Sequence, residues 1–540
     1  MGPEVNIDAI RALEKQIVEG DGDTTELKRD RNSLLNISTR VPPEILGDIF
    51  AWRLVREWQF QGLQRGSYNF LLVCHHWFEV ASQTPELWSY WGNTFQDWKK
   101  RYHRSGTTPL DLVLDGDMYY PGTFDKSLRN AVRNRVMQDT VRQVHLMADK
   151  PFILKPIISL LTPDDGGGQN ENIRSIILHS GESATLDVSN FFARSRLSRL
   201  RSLDLHGRIL ISSWDRLIPR TTLLTTLSLD ITIPSPSPPP TAAQLFSILT
   251  SNPNLQELFL TNTVLPNDAD TSTFKVQLCH LKLLSLMGEF RHLFGLLRQL
   301  TLPEMLDDLY LTVFNPTVED ISQTFAPYMR DYFRRDPWFR DRLGVSSASS
   351  RRSVSFSVGV ASTKTTAPFL ELPQVSITTF ASPNMLEQFF VDVIASSPRE
   401  RVVTFEATEP DVPREVFFAM PNIGRLCIFD AKVSEGFLQP DPDGPRPNTK
   451  LLPSLRSLSL ENPTLGDNGW DHLMTYLAHQ TSDGQVISLE IGGSFPHLCL
   501  DVVKEVENLV EKFSCRQDPV TTCLLCRCEG KVRGTRQPRR

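Results

Sequence analysis

Leu200-Arg201-Ser202-Leu203-Asp204-Leu205 reads L-x-x-L-x-L, and the same line returns at Leu255-Gln256-Glu257-Leu258-Phe259-Leu260 and at Leu455-Arg456-Ser457-Leu458-Ser459-Leu460. The closing residues alternate with a period of two, which argues a short strand with one face turned inward. Shorter cores of the same kind occur at Val144/Leu146, Ile176/Leu178, Leu227/Leu229, Leu284/Leu286 and Leu309/Leu311. After a gap they return at Val403/Phe405, Leu426/Ile428 and Leu489/Ile491. Steps between neighbours run from 23 to 32 residues.

Self-similarity at that spacing lies in the leucine-rich-repeat range. A single repeat cannot bury its apolar face alone, and stacked neighbours share one core. Helix-compatible pieces lie between the cores, such as Ala242–Thr250 before Asn252-Pro253-Asn254-Leu255, and Trp470–His479 with Leu473 and Leu477 four apart. The predicted fold class is therefore α/β. A small helical domain comes first, followed over residues 140–500 by an irregular leucine-rich-repeat solenoid, a curved parallel sheet with helices on its convex side. The rhythm breaks over residues 315–400. Val318–Tyr332 predicts an amphipathic helix. Residues 340–366, rich in Ser, read as an irregular insertion or exposed loop in which Ser353–Val360 alternates like a strand. Val375/Ile377 and a helix-like Asn384–Ser396 suggest that the array resumes. Pro234–Pro240 and residues 440–447 suit edge loops. Residues 93–139 are expected to be a connector, 501–514 a capping helix and 515–540 a flexible Cys/Arg-rich tail.

The chain has 540 residues with 40% hydrophobic and 22% charged content and a net charge of −6. The length suits several domains or one solenoid with an attachment. The acidic balance makes no case for nucleic acid. No apolar run approaches a membrane span, and the first residues lack the pattern of a secretory signal. Eight cysteines without framework spacing fit reduced thiols, so the expected location is cytoplasmic or nuclear.

Residues 1–36 predict a helical lead-in, with Ile7, Ile10, Leu13 and Ile17 on one stripe; a short oligomerising coiled coil is the alternative. Over 37–92 a compact helical unit is expected. Pro42-Pro43 suits a helix start and Glu44 the positive end of its dipole. Ile45, Leu46, Ile49, Phe50 and Leu54 then give a broad apolar face. Val73, Trp77, Val80 and Ala81 line a second helix, and Pro85 turns the chain into Leu87-Trp88. About fifty residues cannot bury so many large side chains without help.

These residues resemble an F-box. Val41-Pro42-Pro43-Glu44-Ile45-Leu46 matches the family's opening run with valine for leucine, Ile49-Phe50 its apolar pair, and Val73-Cys74-His75-His76-Trp77 its later valine-cysteine-x-x-tryptophan. Thr84-Pro85-Glu86-Leu87-Trp88 resembles the ending common in fungal members. The interior, Arg53–Ser67, is longer and more polar than in compact members. The resemblance implies docking on a Skp-type adaptor and through it a cullin scaffold, with the repeats holding an unknown protein substrate for ubiquitin transfer. Pro42, Pro43, Ile45, Leu46, Ile49, Phe50, Val73 and Trp77 are expected to face the adaptor or to shape that face. A scaffold that does not ubiquitinate is the alternative.

No catalytic signature is present: there is no G-x-S-x-G elbow, Walker loop, G-x-G-x-x-G or H-E-x-x-H. The expected protein is therefore not itself an enzyme and needs no cofactor. Cys523-x-x-Cys526 has half a zinc-ribbon spacing without a matching second pair, so no metal site is assigned. The basic run ending at Arg540 reads as a solvated tail, and Tyr328–Phe339 as an exposed amphipathic helix rather than a base-stacking surface.

Overall fold

The L-x-L cores do form strands, and within each run of repeats they pair in parallel with the next core along the chain. The computed structural model describes residues 7–515 except 20–23, 25, 29, 32–40, 62–64, 92–97, 116–125, 149–153, 164–169, 182–184, 213, 218–220, 231–239, 262–274, 305, 318, 336–342, 350–352, 362–369, 381–401, 408–420, 430–451, 462–468, 482–486 and 493–499. Outside the described residues lie the helix-like Asn384–Ser396, residues 440–447, nearly all of the Pro234–Pro240 loop, and the tail with Cys523, Cys526 and Cys528. The chain divides into two units, Met1–Leu255 and Gln256–Arg540.

In the first unit the main sheet runs β1 (Tyr90–Trp91), β2 (Leu110–Asp115), β3 (Val141–Ala148), β4 (Ser175–Ser180), β6 (Ser202–Gly207) and β8 (Thr226–Asp230), each parallel to its neighbour. The short β5 (Leu186–Asp187) and β7 (Ile209–Leu210) pair separately. Parallel neighbours need a crossover. Among the described residues, crossovers here contain the helices Trp98–Ser105, Lys126–Met137, Lys155–Leu161 and Ser189–Arg194 and the 3-10 turn Trp214–Arg216. Leu203 and Leu205, with Ile176, Leu178, Leu227 and Leu229, are buried on one sheet face. A leucine two residues before the strand, Leu200 or Leu224, is buried too. Each such side chain contributes about 1.5–3 kcal/mol on burial. The residue before one strand accepts backbone bonds from the next repeat: the Arg201 and Ser202 N–H groups donate to the Arg174 carbonyl, and those of Thr225 and Thr226 to the Arg201 carbonyl.

The turns satisfy their buried polar groups from side chains. Asn252 accepts the Leu224 N–H at 2.8 Å and donates to the Ile248 carbonyl. Asn170 donates to the Leu161 carbonyl and to Ser195 Oγ. Helix Ala242–Ser251 starts on a reciprocal capping box between Thr241 and Gln244.

The second unit begins with β9 (Glu257–Thr261), β11 (Leu283–Glu289) and β13 (Asp308–Phe314) in parallel, with β10 (Val276–Gln277) beside β12 (Leu300–Thr301). A π turn, Asp320–Phe325, leads into helix Ala326–Arg335, where the sequence predicts a helix. The stretch 340–366 departs from its reading as an irregular loop. β14 (Leu343–Ser349) and β15 (Ser353–Ala361) form an antiparallel hairpin, and β15 continues antiparallel onto β16 (Leu370–Phe380). β16 lies parallel to β13, and β14 parallel to β17 (Val402–Ala407). The alternation of Ser353–Val360 is a strand signal in a segment whose serines read as loop. β18 (Arg425–Phe429), β19 (Ser457–Glu461), β20 (Ser488–Gly492) and β21 (Lys512–Cys515) complete the parallel series.

Two boundaries move. The expected connector 93–139 already contains β2, with Leu110, Leu112 and Leu114 buried, so the sheet starts before residue 140. The expected capping helix 501–514 ends sooner. It spans Leu500–Leu509, and β21 then sets Phe513 beside Leu489. Among the described residues no helix is long and apolar enough to cross a membrane.

Candidate functional site

The N-terminal helical unit is built around helix Pro43–Gln61. Its first bond runs from the Leu46 N–H to the Pro42 carbonyl at 3.0 Å, so Pro43 occupies a position where a missing N–H costs nothing. Two apolar faces run along this helix. Leu46, Phe50 and Leu54, at fourfold spacing, are buried. Ile45, Ile49 and Trp52, on a separate stripe, are 51%, 50% and 63% exposed.

The buried face is filled from within the unit. The 3-10 helix Arg65–Leu72 brings Phe70 to stack on Phe50 at 4.5 Å between ring centres, and Trp77 tilts against Phe50 at 5.0 Å. Helix His75–Gln83 adds Val80 and Ala81, and the turn Pro85–Trp88 adds Leu87 and Trp88. Trp88 Nε1 donates to the Ala81 carbonyl at 2.7 Å, so its burial leaves the indole satisfied.

Of the eight residues expected to face or shape an adaptor surface, the structure exposes Pro42, Pro43, Ile45, Ile49 and Val73. Leu46 and Phe50 belong to the unit's own core, and Trp77 is half-buried against it. Trp52 and Leu72 are exposed apolar residues outside those eight. The spacing of Ile45, Ile49 and Trp52, four and then three apart, is the signal that finds the first of these. Leu72 ends a 3-10 segment whose register is not readable from periodicity.

The unit is tied to the first strands by arginines. Helix Trp98–Ser105 lays the Arg104 guanidinium 4.4 Å above the Trp88 ring. Arg101 donates to the Tyr90 carbonyl, and Arg135 donates to Ser105 Oγ at 2.7 Å. Arg142 on β3 grips Asp111 on β2 with both carboxylate oxygens engaged. Asp111 is fully buried. Burial pushes its carboxyl above the usual range, and the Arg142 hydrogen bond and charge pull the other way.

A second cluster lies on the sheet face turned away from the Leu203/Leu205 core. His179 Nε2 lies 3.3 Å from Asp204 Oδ2, and His206 Nδ1 2.8 Å from Asp230 Oδ2. The two imidazoles adjoin at 5.1 Å between centres. Burial and the neighbouring His179 push His145 on β3 down to about 4. Burial works to raise the Asp204 carboxyl, but the hydrogen bond and charge of His179, the Ser228 hydrogen bond and the charge of His145 together hold it below the usual range. Among the described residues no group of three or more His, Cys, Asp or Glu is arranged to hold a metal ion.

No family model matches the sequence, and no curated protein matches it. Among solved structures, the leucine-rich repeat-containing protein LegL7 from Legionella pneumophila is similar at 10% identity, over 78% of this chain and 97% of that chain, with a TM-score of 0.20. A likeness at that score carries no argument about function.

Proposed function

We propose that the chain is the target-holding subunit of a ubiquitin ligase of the Skp adaptor–cullin–F-box type. Residues 37–92 act as the F-box and dock on a Skp-type adaptor, and the leucine-rich repeats hold a protein target. The observation that carries the reading is a helical unit with a completed core that still exposes Ile45, Ile49, Leu72 and Val73. Apolar side chains left on the surface of a unit whose core is already filled suit a protein interface. The chain forms no covalent bond on this reading. It raises the effective concentration of target lysines near the conjugating enzyme.

The test uses exposed positions. A pull-down of the full chain with a Skp-type adaptor should succeed, and Ile45→Asp combined with Ile49→Asp should weaken it about a hundredfold, as for loss of two interface anchors. Leu46→Ala is a poor probe because it opens a cavity costing about 3 kcal/mol and removes the unit's fold with its face. Failure of the intact chain to bind adaptor sinks the proposal. Copurification of cullin separates a ligase subunit from a scaffold that does not ubiquitinate.

A further inference from the structure

We propose that the solvent-facing side of β9, β11 and β13 holds a socket for one large apolar side chain of an extended target segment that carries lysine or arginine two residues away. The inference deepens the target-holding role proposed for the repeats and rests on it.

A sheet with one face buried ordinarily carries polar residues on the other. On β4, β6 and β8 the positions turned away from the leucine core are Ser, Thr, Asp and His, apart from Ile177. β9, β11 and β13 depart from that pattern. Their solvent-facing positions include Phe259, Leu283, Met287, Tyr310 and Phe314, all half-buried. Aromatic residues and methionine are the types enriched where proteins meet.

Strand register arranges these side chains around a small one. Ser285 on β11 stands between Phe259 on β9 and Tyr310 on β13 in one cross-strand row. Leu283 and Met287 stand one step before and one step after it on the same face of β11. Neighbouring strands lie about 4.8 Å apart, and same-face residues of one strand about 6.6–7 Å apart. A serine ringed by large side chains at those distances leaves a hollow of about one side chain's width. Burial, then the charge and hydrogen bond of Asp308, push the Tyr310 phenol above its usual range, so this wall stays uncharged at neutral pH.

The row before the hollow is acidic. Glu257 and Asp308 flank Leu283 in register. Across these three strands and the residue before each, the charged groups are Glu257, Asp307, Asp308 and Glu289 against Lys282. A cation on the ligand complements that balance. The acidic row lies one same-face step from Ser285, about 6.6–7 Å, the step that separates alternate side chains of an extended segment laid along the strands. An apolar residue in the hollow thus brings a lysine or arginine two positions away over the carboxylates.

The experiment uses the full chain and a fluorescein-labelled threonine peptide with one phenylalanine and an arginine two positions to either side of it, read by anisotropy. Wild type should bind it. Alanine for the peptide's phenylalanine, or glutamate for its arginines, should each weaken binding about tenfold. Ser285→Phe fills the hollow and should weaken the parent peptide about tenfold, and Glu257→Gln with Asp308→Asn should do the same without filling it. Ser228→Phe, at the middle solvent-facing position of β8, should leave binding unchanged. Circular dichroism checks that each variant is folded. No binding by wild type, equal binding of the altered peptides, undiminished binding by either β9–β13 variant, or an equal loss in Ser228→Phe each overturns the proposal. The peptide reads the repeats and the adaptor pull-down reads Ile45 and Ile49, so a chain that binds one and not the other shows which reading has failed.

Discussion

Arg142→Met is expected to destabilise the first unit by about 3–5 kcal/mol, the range found when one partner of a buried ion pair is removed. Asp111 has no exposed surface, and its carboxylate lies between β1 and β3 with the Arg142 Nε bond at 2.9 Å. Without the guanidinium the acid has burial pushing its carboxyl up and nothing charged holding it ionised. A carboxyl raised above its unfolded value binds its proton more tightly in the folded state. Stability then falls as pH rises through the window between the two values, so the deficit of the variant should shrink on acidification. Denaturant unfolding followed by tryptophan fluorescence at several pH values measures this. Arg142→Met with Asp111→Leu should recover most of the loss, because an apolar pair needs no compensating charge. A double variant as unstable as the single one would show that shape, not charge, carries the contact.

Gly207→Ala is expected to cost at least about 3 kcal/mol, combining positive-φ strain with a backbone clash. Gly207 closes β6 at φ +87°, and a Cβ there would lie 1.7 Å from the Ser180 carbonyl oxygen. That carbonyl belongs to the neighbouring strand and accepts the Arg208 N–H. Nothing at the contact is a flexible side-chain end, so relief requires β4 and β6 to part. Gly106 provides the comparison. It has φ +52° with nothing within 4 Å of an added Cβ, so Gly106→Ala should cost only the left-handed penalty of about 1 kcal/mol. Thermal melts of the two variants decide the matter: equal losses would place the cost of Gly207→Ala in backbone conformation alone.

The strand cores were readable because a parallel strand covered on one face writes its burial as alternation. Val144/Leu146 through Leu489/Ile491 all fall on strands. Elements that break the pattern were harder. β1 is two residues long, and β2 carries Asp111 on its second face where a polar residue reads as solvent. β14 and β15 are written largely in serine and small residues, a composition that reads as loop even where Ser353–Val360 alternates like a strand. At the candidate interface, composition marked an excess of apolar side chains but not their directions. Leu46 and Ile45 are adjacent in sequence and differ only in which face of the helix meets Phe70 and Leu87. The paired imidazoles were not legible at all, since His179, Asp204, His206 and Asp230 become neighbours only through strand register.

The hairpin inserted between β13 and β17 obeys a rule of parity. From β13 the strand direction is kept at β16, reversed at β15 and reversed again at β14. Two reversals cancel, so β17 meets β14 in the direction in which β13 left off. Strands can be added to such an array without disturbing the later repeats only in even-numbered reversals. A third would hand β17 an antiparallel edge and oblige every later repeat to cross over in the opposite sense, which right-handed crossover geometry disfavours. The segment between the two arrays can thus vary in length and composition by whole hairpins, while β18 to β21 keep their register.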